Sequence, residues 1–523
     1  MNNNNENSFD VIVIGSGNGG MTAALTAHDQ GSKVLIIEKS NLFGGTSATS
    51  GGGVWIPNNR YAKEVNADDS LQEARNYIQH VSPEGKIHKD LIETYLVKGP
   101  EMIDYLHENS QVRYQTLEHY PDYFPDDPGG KTGHRSMEPK PIYGNLLGND
   151  FKKLRDQHIQ TKGPMGINFT QVEGQILLGA LSGWVTLFTK LFFKFIFDFP
   201  YRLTSSRDRR LTMGNAGVAR LRLSLKDRNV PLWVNTSFKE FILKNEKIIG
   251  VKVVKEGKEI NLDVSQGVIL AAGGFERNQK MRDQFLPHPS HSNWSAGNLD
   301  NTGDVIYQAM RIGAKTHQMD TAWWSTVMQV PGEDKARLSM VDKSLPGTFC
   351  VNLKGERFSN ESQNYVSFVD EMYKKNSSGN PCIPCYMIFD SDFRKKRPCG
   401  PLLQSSFMPD SLVPNHWWDE SFLIKSDTVE GLANKLGIDK GGLLGTVKKV
   451  NSYSETGKDL DFQRGDSVYD RYYGDPEVKP NPCLGTIQKA PFYSITLYPG
   501  EMGTAGGLVI DTKARVLDTN NNP

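Results

Sequence analysis

Three glycines and one acid near the start of the chain could bind the diphosphate and the ribose of a dinucleotide. Gly15, Gly17 and Gly20 fit the pattern G-x-G-x-x-G, directly after an apolar run at residues 9–14. The first glycine permits a tight turn, the second lets the backbone approach a pyrophosphate, and the third allows close packing of helix on strand. Glu38 ends the next apolar run, where an acid can bond ribose hydroxyls. These residues predict a dinucleotide bound at a helix N-terminus.

A second glycine-rich stretch favours flavin over nicotinamide. Residues 43–53 read FGGTSATSGGG and follow closely on the ribose acid. Their small side chains and hydroxyls would let the chain lie along a further part of a large cofactor. They would donate N–H and O–H bonds there, for which a nicotinamide domain has no need.

The two stretches together resemble the FAD-binding fumarate reductase/ketosteroid dehydrogenase superfamily. Two further segments agree with the resemblance, AAGGF at 271–275 and NTGD at 301–304. The resemblance implies a bound FAD, whose pyrophosphate and flavin lie along the FGGTS stretch. The residues predicted to hold it are Gly15, Gly17, Gly20, Glu38, Lys39, Gly44, Gly45, Thr46, Ser47, Ser50, Gly51, Gly52, Ala272, Gly273 and Asp304.

Four longer motifs narrow the resemblance to bacterial 3-ketosteroid Δ1-dehydrogenases. They are GGTSATSGGGVWIP at 44–57, YPDYFPDDPGG at 120–130, GGFERNQKMRD at 273–283 and GERFSNESQNY at 355–365. The resemblance runs from about Asp10 to Leu517 and implies removal of hydrogens from C1 and C2 of a 3-ketosteroid, with hydride passing to FAD. It also implies that Tyr365 accepts the C2 proton and that Tyr123 is its hydrogen-bond partner.

Tyrosines suit this chemistry for reasons that do not depend on the family. A proton next to a ketone must leave while the carbonyl oxygen gains negative charge, so the site needs a base and an oxyanion donor. A tyrosine acts as base only as the phenolate, and lowering its pKa from about 10 to about 7 requires roughly 4 kcal/mol of site electrostatics. A second tyrosine donating to the phenolate could supply part of it. Trp323 and Trp324 could wall an apolar slot, or could equally be core residues.

The end of the sequence departs from the family. In the family, a glycine-rich stretch after the GTAGGL-like strand supplies a third tyrosine and a backbone N–H for the ketone oxygen. Here the sequence ends at Pro523 before such a motif, so we expect a fragment or, less well supported, a defective enzyme. The alternatives are a Δ4-dehydrogenase of 3-keto-5α-steroids, a fumarate-reductase-like flavoenzyme, and a non-catalytic steroid or lipid binder.

An apolar insertion at residues 174–210 raises a separate possibility. Apolar residues recur at steps of three and four from Leu177 to Phe199, which predicts one helix up to Pro200. The basic residues Arg202, Arg207, Arg209 and Arg210 follow. This pattern favours a helix lying in a membrane interface through residues 176–210, with arginines near anionic lipid, over a subunit-contact or core helix.

The elements that carry these motifs predict an α/β fold. We expect a Rossmann-like FAD-binding domain with an inserted α+β catalytic domain, divided into residues 1–321, 322–485 and a return at 486–523. Alternating residues at 231–264 predict an antiparallel layer. Residues 70–109 predict two helices, the first ending near Val81 before Ser82-Pro83-Glu84-Gly85 and the second broken or kinked at Gly99-Pro100. Residues 119–149 are rich in Pro, Gly, Asp and Tyr and predict an irregular loop.

Charge and composition limit the partners. Lys+Arg and Asp+Glu are 60 each, which argues against nucleic acid. The polar start, residues 1–9, lacks the pattern of a secretory signal, so we expect a cytoplasmic protein. The apolar insertion would allow it to associate with the inner face of the membrane. We expect a steroid substrate, an electron acceptor of unknown identity and no metal.

Overall fold

The computed structural model describes residues 7–83 and 88–523. Its strands are β1 (Ser8–Ile14), β2 (Val34–Ile37), β3 (Val54–Trp55), β4 (Tyr114–Thr116), β5 (Ser136–Pro139), β6 (Ile142–Tyr143), β7 (Arg210–Leu211), β8 (Leu232–Trp233), β9 (Thr236–Lys244), β10 (Lys247–Lys255), β11 (Lys258–Leu270), β12 (Thr316–His317), β13 (Ala322–Met328), β14 (Arg337–Leu338), β15 (Thr348–Val351), β16 (Cys385–Asp390), β17 (Leu423–Ser426), β18 (Phe492–Thr504) and β19 (Gly507–Leu508).

The α-helices lie between these strands along the chain, and three of them, α6 to α8, lie in the region of the apolar insertion. They are α1 (Asn18–Asp29), α2 (Gly45–Thr49), α3 (Arg60–Glu64), α4 (Leu71–Val81), α5 (Lys89–Asn109), α6 (Gln171–Leu178), α7 (Trp184–Ile196), α8 (Phe199–Arg202), α9 (Met213–Asp227), α10 (Gln279–Phe285), α11 (Asp304–Arg311), α12 (Tyr365–Ser377), α13 (Ser391–Lys396), α14 (Asn415–Asp419), α15 (Val429–Leu436), α16 (Lys440–Thr456) and α17 (Val468–Tyr472).

The first sheet carries the glycine motifs. Its strand order is β8-β2-β1-β11-β10-β9, with β8, β2, β1 and β11 parallel and β9 to β11 antiparallel. Val11 and Val13 pack on one face with α1 and α9, and Ile12 and Ile14 pack on the other with β9 to β11. Successive strand residues point to opposite faces, so the continuous apolar run of β1 fills both cores. The predicted βαβ start, antiparallel layer and α/β fold are confirmed.

The second sheet is antiparallel and belongs to the predicted catalytic region. Its order is β14-β13-β18-β16-β15, and β17 also pairs with β18. β18, which comes from the end of the chain, lies between β13 and β16 in the middle of this sheet. The sequence places the return to the first domain at 486, whereas the chain leaves the second sheet only after Thr504. The domain limits themselves stay a prediction.

Of the two helix interruptions predicted over residues 70–109, the structure has one. The first helix ends at Val81 as predicted, but α5 continues through Pro100 to Asn109, so the helix is not broken at Gly99-Pro100. Ile103 and Leu106 beyond the proline are buried together with Leu96 before it. Packing of this face outweighs the one backbone hydrogen bond that proline removes. The predicted stop at Glu84-Gly85 and residues 1–6 of the polar start lie outside the described residues.

Two other segments also differ from the prediction. The insertion is not one helix, because α6 ends at Leu178 and α7 begins at Trp184. Ala180 with φ 46° and Gly183 with φ 83° take left-handed conformations, which interrupt the helix between them. The loop predicted at 119–149 contains the short strands β5 and β6, and β5 pairs with both β3 and β4.

Candidate active site

The turn between β1 and α1 accepts only glycine at two positions. Gly15 has φ +108°, and a Cβ there would lie 2.2 Å from the carbonyl oxygen of Ala271. A Cβ on Gly20 would lie 2.4 Å from the carbonyl oxygen of Gly15. Both distances are far shorter than a van der Waals contact, so a side chain would force the turn apart. The turn holds the N-terminus of α1, with its free N–H groups, against the ends of β1 and β11.

A cavity of about 500 Å³ opens at this turn. Its wall combines the β1–α1 turn, the end of β2, the start of α2, the end of β11 and the segment leading into α11. The predicted cofactor residues that line it are Gly15, Gly17, Gly20, Glu38, Lys39, Gly45, Thr46, Ser47, Ala272, Gly273 and Asp304. Thr236, Phe238 and Asn298 also line it. No local sequence pattern marks these three residues, because only the folded arrangement of the loops and β9 brings them to the wall.

The cavity wall fits a large polar cofactor such as FAD. Asn18 Oδ1 and Asn298 Oδ1 are buried without a hydrogen-bond partner among the described residues, and both asparagines line the cavity. A buried polar oxygen without a partner is costly, so these atoms suit a ligand that donates to them. A Cβ added to Gly19 or Gly45 would meet nothing within 4 Å, so the backbone there is open to an occupant.

Glu38 and Lys39 fix the rim of the cavity. The Glu38 carboxylate accepts a hydrogen bond from Ser16 Oγ at 2.5 Å. Lys39 Nζ donates to Thr302 Oγ1 and Asp304 Oδ2, both at 2.7 Å. The sequence predicts that Glu38 binds ribose; the structure places it in the cavity wall, where it also holds the β1–α1 turn through Ser16.

Four residues of the predicted cofactor set lie outside the wall of this cavity. Gly44, Ser50, Gly51 and Gly52 belong to the stretch around α2, which packs against α9. A Cβ on Gly52 would lie 2.4 Å from the backbone nitrogen of Gly214 in α9. The close approach of α9 therefore accounts for the glycine at 52, and a cofactor contact by these four residues stays a prediction.

The two predicted catalytic tyrosines meet although 242 positions separate them in sequence. The hydroxyls of Tyr123 and Tyr365 hydrogen-bond, and their rings pack edge to face with centroids 5.3 Å apart. Tyr365 is the first residue of α12, whose N-cap Asn364 accepts from Ser367 N at 2.9 Å. The positive end of the helix dipole there favours negative charge on Tyr365.

Further tyrosines surround this pair, namely Tyr120, Tyr469, Tyr472 and Tyr473. Burial raises the pKa of Tyr365 above its usual range, and nearby Tyr120 adds to the rise, while the hydrogen bond from Tyr123 lowers it. Burial likewise raises the pKa of Tyr123. The hydrogen bond from Tyr123 therefore lowers the pKa of Tyr365, as the sequence predicts, but the loss of hydration on burial raises this pKa by more. The pair is neutral in this state at ordinary pH.

A buried ion pair holds the loop that carries Tyr123. Asp122 Oδ1 accepts from the indole Nε1 of Trp55 at 2.7 Å, and Asp122 Oδ2 accepts from Arg135 Nη1, also at 2.7 Å. Arg135 also binds Asp69, at 2.8 Å. Trp55 follows the glycine-rich stretch, so Asp122 ties the tyrosine loop to the segment beside the cofactor cavity. Nothing in the local sequence pattern indicates this link.

The adjacent tryptophans at the start of β13 have different surroundings. Trp324 is buried in the second core, with its ring centroid 5.3 Å from that of Tyr373. Trp323 is 56% exposed. Of the two roles that the sequence leaves open, Trp324 takes that of a core residue.

The arginines of the insertion are occupied within the protein. Arg209 pairs with Asp198 of the insertion and Arg210 with Glu173 just before it, and Arg202 and Arg207 donate to backbone carbonyls. The predicted basic flank is therefore engaged within the protein, and no longer argues for anionic lipid. No helix in the described part of the chain is long and apolar enough to cross a membrane.

Comparison with known proteins gives a consistent family. Residues 10–523 match the family model for the FAD binding domain. The 3-oxosteroid 1-dehydrogenase of Mycolicibacterium smegmatis is 36% identical, over 97% of this chain and 89% of that protein. The crystal structure of 3-ketosteroid delta1-dehydrogenase from Sterolibacterium denitrificans, in complex with 1,4-androstadiene-3,17-dione, is 42% identical with a TM-score of 0.94. That comparison covers 99% of this chain and 92% of that one.

A relative with another substrate is nearly as similar. The 4-oxocyclohexanecarboxylate 2-dehydrogenase of Sinomonas cyclohexanicum is 32% identical, over 99% of this chain and 86% of that protein. All three relatives are named as dehydrogenases of a compound whose ring bears a ketone.

Proposed function

The chain belongs to the FAD binding domain family and, within it, to the group of 3-oxosteroid 1-dehydrogenases, and we propose that it introduces the C1–C2 double bond into 3-ketosteroids. The observation that carries the proposal is the Tyr123–Tyr365 hydroxyl pair at the start of α12. Relatives at 34–36% identity named for this reaction support the steroid and the position of the bond.

The roles of the chain's own residues follow from the site. Bound FAD would supply the hydride acceptor. Tyr365 first loses its hydroxyl proton to solvent, and the Oη of the resulting phenolate then takes the proton from C2, next to the ketone. Tyr123 donates a hydrogen bond that stabilises this phenolate. The helix dipole of α12 acts in the same direction. The cavity-lining glycines and the Asn18 and Asn298 amides bind and orient the cofactor.

Anaerobic mixing of the FAD-loaded protein with a 3-ketosteroid tests the proposal. We expect the flavin absorbance to bleach and mass spectrometry to show a product lacking two hydrogens at C1 and C2. A double bond at C4 would instead identify a Δ4-dehydrogenase. Oxidation of the reduced protein by fumarate, without bleaching by any ring ketone, would contradict the proposal.

A smaller ring ketone is the second candidate substrate, because the Sinomonas relative is named for one. The two candidates share the α-proton abstraction that the tyrosine pair performs and differ in the size of the slot. The same bleaching assay with 4-oxocyclohexanecarboxylate separates them, since the better substrate has the higher kcat/KM. A preference for the small ketone by tenfold or more would reassign the substrate.

We further propose that the insertion contacts a lipid surface through an apolar face on and next to α7 and α8. This face comprises the exposed side chains of Val185, Phe193, Phe197, Phe199 and Leu203. Phe197 is 77% exposed and Leu203 73%, a costly arrangement in water unless something covers them. A membrane is the occupant that also dissolves an apolar steroid, and it needs only the apolar face now that the arginines are engaged elsewhere.

Co-sedimentation with uncharged phosphatidylcholine vesicles tests this contact. Phe197→Glu combined with Phe199→Glu should remove the protein from the vesicle pellet. Leu460→Glu, which changes another 73% exposed apolar side chain outside the insertion, should leave pelleting unchanged. Equal pelleting of all variants, or a dimer in solution that the double variant dissociates, would overturn the lipid assignment.

A further inference from the structure

Glu276 is a carboxyl buried directly behind the cofactor cavity. Its side chain is fully buried, in the GGFE segment that follows β11. A Cβ added at Gly274 or at Gly297 would lie 2.7 Å from its carboxylate oxygens. The carboxyl is therefore enclosed by backbone that approaches closely because these positions are glycine, and it cannot turn toward bulk water.

No cation pairs with this carboxylate among the described residues. The neighbouring guanidinium of Arg282 donates to the Glu501 carboxylate, at 2.9 and 3.0 Å, and to Ser290 Oγ, and it reaches Glu276 only at the backbone carbonyl. Arg277 donates to the backbone carbonyls of residues 292, 295 and 297. A buried acid without an ion partner is unusual, because the charged form then lacks compensation for lost hydration.

A single amide connects Glu276 to the cavity. Asn301 Nδ2 donates to Glu276 Oε1 at 2.6 Å and contacts Thr46 Oγ1 at 3.0 Å. Asn301 and Thr46 both line the cavity, with Thr46 in the stretch expected to lie along FAD. The other Glu276 oxygen accepts a weak contact from the backbone nitrogen of Thr504, at 3.5 Å, and the backbone N–H of Glu276 itself also hydrogen-bonds to the carboxylate. Charge in the cavity and charge on Glu276 therefore interact across one residue.

The charges that face Glu276 leave its protonation finely balanced. They are Glu501 on β18, Arg282 on α10 and Arg277 in the loop between β11 and α10. Burial raises the pKa of Glu276 to about 7, and the negative charge of Glu501 adds to the rise, while the hydrogen bond from Asn301 lowers it. A modest change of charge in the cavity is enough to change its state near neutral pH.

We propose that Glu276 is the proton-binding residue of the cofactor site, which takes up a proton when the bound flavin is reduced and releases it when the flavin is reoxidised. A hydride brings two electrons and one proton to an uncharged ring system, so it leaves one added negative charge. A proton from the solvent, bound as the neutral carboxylic acid of Glu276, restores the charge balance. This inference rests on FAD as the cofactor, and not on a steroid as the substrate.

Spectroelectrochemical titration of the FAD-loaded protein tests the inference without any substrate. The slope of the flavin midpoint potential against pH counts the protons taken up per two electrons. Between pH 7 and 8 we expect the wild type to bind as much as one proton more than Glu276→Gln does when its flavin is reduced by two electrons. Asp208→Asn, at another buried acid with a raised pKa, should match the wild type. Identical slopes in wild type and Glu276→Gln would overturn the proposal.

A measurement on the wild type alone covers the case in which the variant fails to fold or to bind FAD. The infrared difference spectrum between the reduced and oxidised protein at pH 8 should contain a positive carboxylic-acid C=O band. The band should shift in D₂O, as expected for a COOH group. Its absence would also overturn the proposal, whereas a protein that holds no flavin at all would contradict the cofactor assignment instead.

Discussion

Tyr365 and Tyr123 have unequal roles in the proposed reaction, and substitution separates them. Tyr365→Phe removes the base and should lower kcat by about 10²–10⁴-fold with FAD binding retained. Tyr123→Phe removes one hydrogen bond to a charged group, about 1.5–3 kcal/mol, and should lower kcat by roughly 10–100-fold. Single-turnover flavin reduction measures both effects. Tyr453→Phe, at a buried tyrosine of α16, is the control and should have the wild-type rate.

The same substitutions have outcomes that would contradict these roles. Near-normal turnover by Tyr365→Phe would remove this residue from proton transfer. A larger loss in Tyr123→Phe than in Tyr365→Phe would exchange the two roles.

Local motifs identified single residues well and their partners poorly. The glycines of the β1–α1 turn could be predicted because the turn requires that residue type. The tyrosine pair could be predicted only from the resemblance of its two motifs to those of the ketosteroid dehydrogenases. Glu276 and Asp122 could not be assigned their contacts. Their partners come from segments far away in the chain, and an acidic residue in a loop has no local pattern that distinguishes a buried carboxyl from a solvated one.

At the scale of elements, the Trp55–Asp122 hydrogen bond couples the glycine-rich stretch to the tyrosine loop. Trp55→Phe leaves Asp122 Oδ1 buried with one donor fewer and should lower the free energy of unfolding by about 1–3 kcal/mol. Combined with Asp122→Asn, it should show a coupling energy of about 0.5–3 kcal/mol. Urea unfolding measures each variant. Additive effects within error would show that the bond does not join the two segments energetically.

The matched control for this cycle is Trp323→Phe, which makes the same change at an exposed position. It should alter the free energy of unfolding by less than about 0.5 kcal/mol. Asp122→Asn should also reduce kcat, because Tyr123 is the next residue and loses a fixed position relative to Tyr365.

Helix boundaries show what local rules miss. The rule that proline breaks a helix fails at Pro100, where buried residues on both sides keep α5 continuous. In the insertion, the apolar periodicity fails to predict a break that is present. Side-chain spacing predicts one helix, but left-handed backbone at Ala180 and Gly183 divides it. In both cases tertiary contacts decide an outcome that neighbouring residues alone leave open.

At the scale of the whole molecule, the sequence predicted an α/β fold and an antiparallel layer at residues 231–264, but not the order of the strands in the first sheet. The position of β18 in the second sheet could not be predicted either. Its sequence indicates a short strand with glycines near the end of the chain. Only pairing with β13 and β16, which lie more than a hundred residues earlier, places it at the centre of the second sheet.

The many buried tyrosines make the folded protein sensitive to alkali. Burial raises the pKa of both Tyr77 and Tyr114 to about 12. Between pH 10 and 12 the unfolded chain loses these protons while the folded chain keeps them, so the free energy of unfolding falls as pH rises, by up to about 3 kcal/mol per residue. Urea unfolding at pH 8, 10 and 11 should show this loss, and Tyr114→Phe should reduce its slope. A midpoint independent of pH up to 11 would mean that these phenols ionise equally in both states.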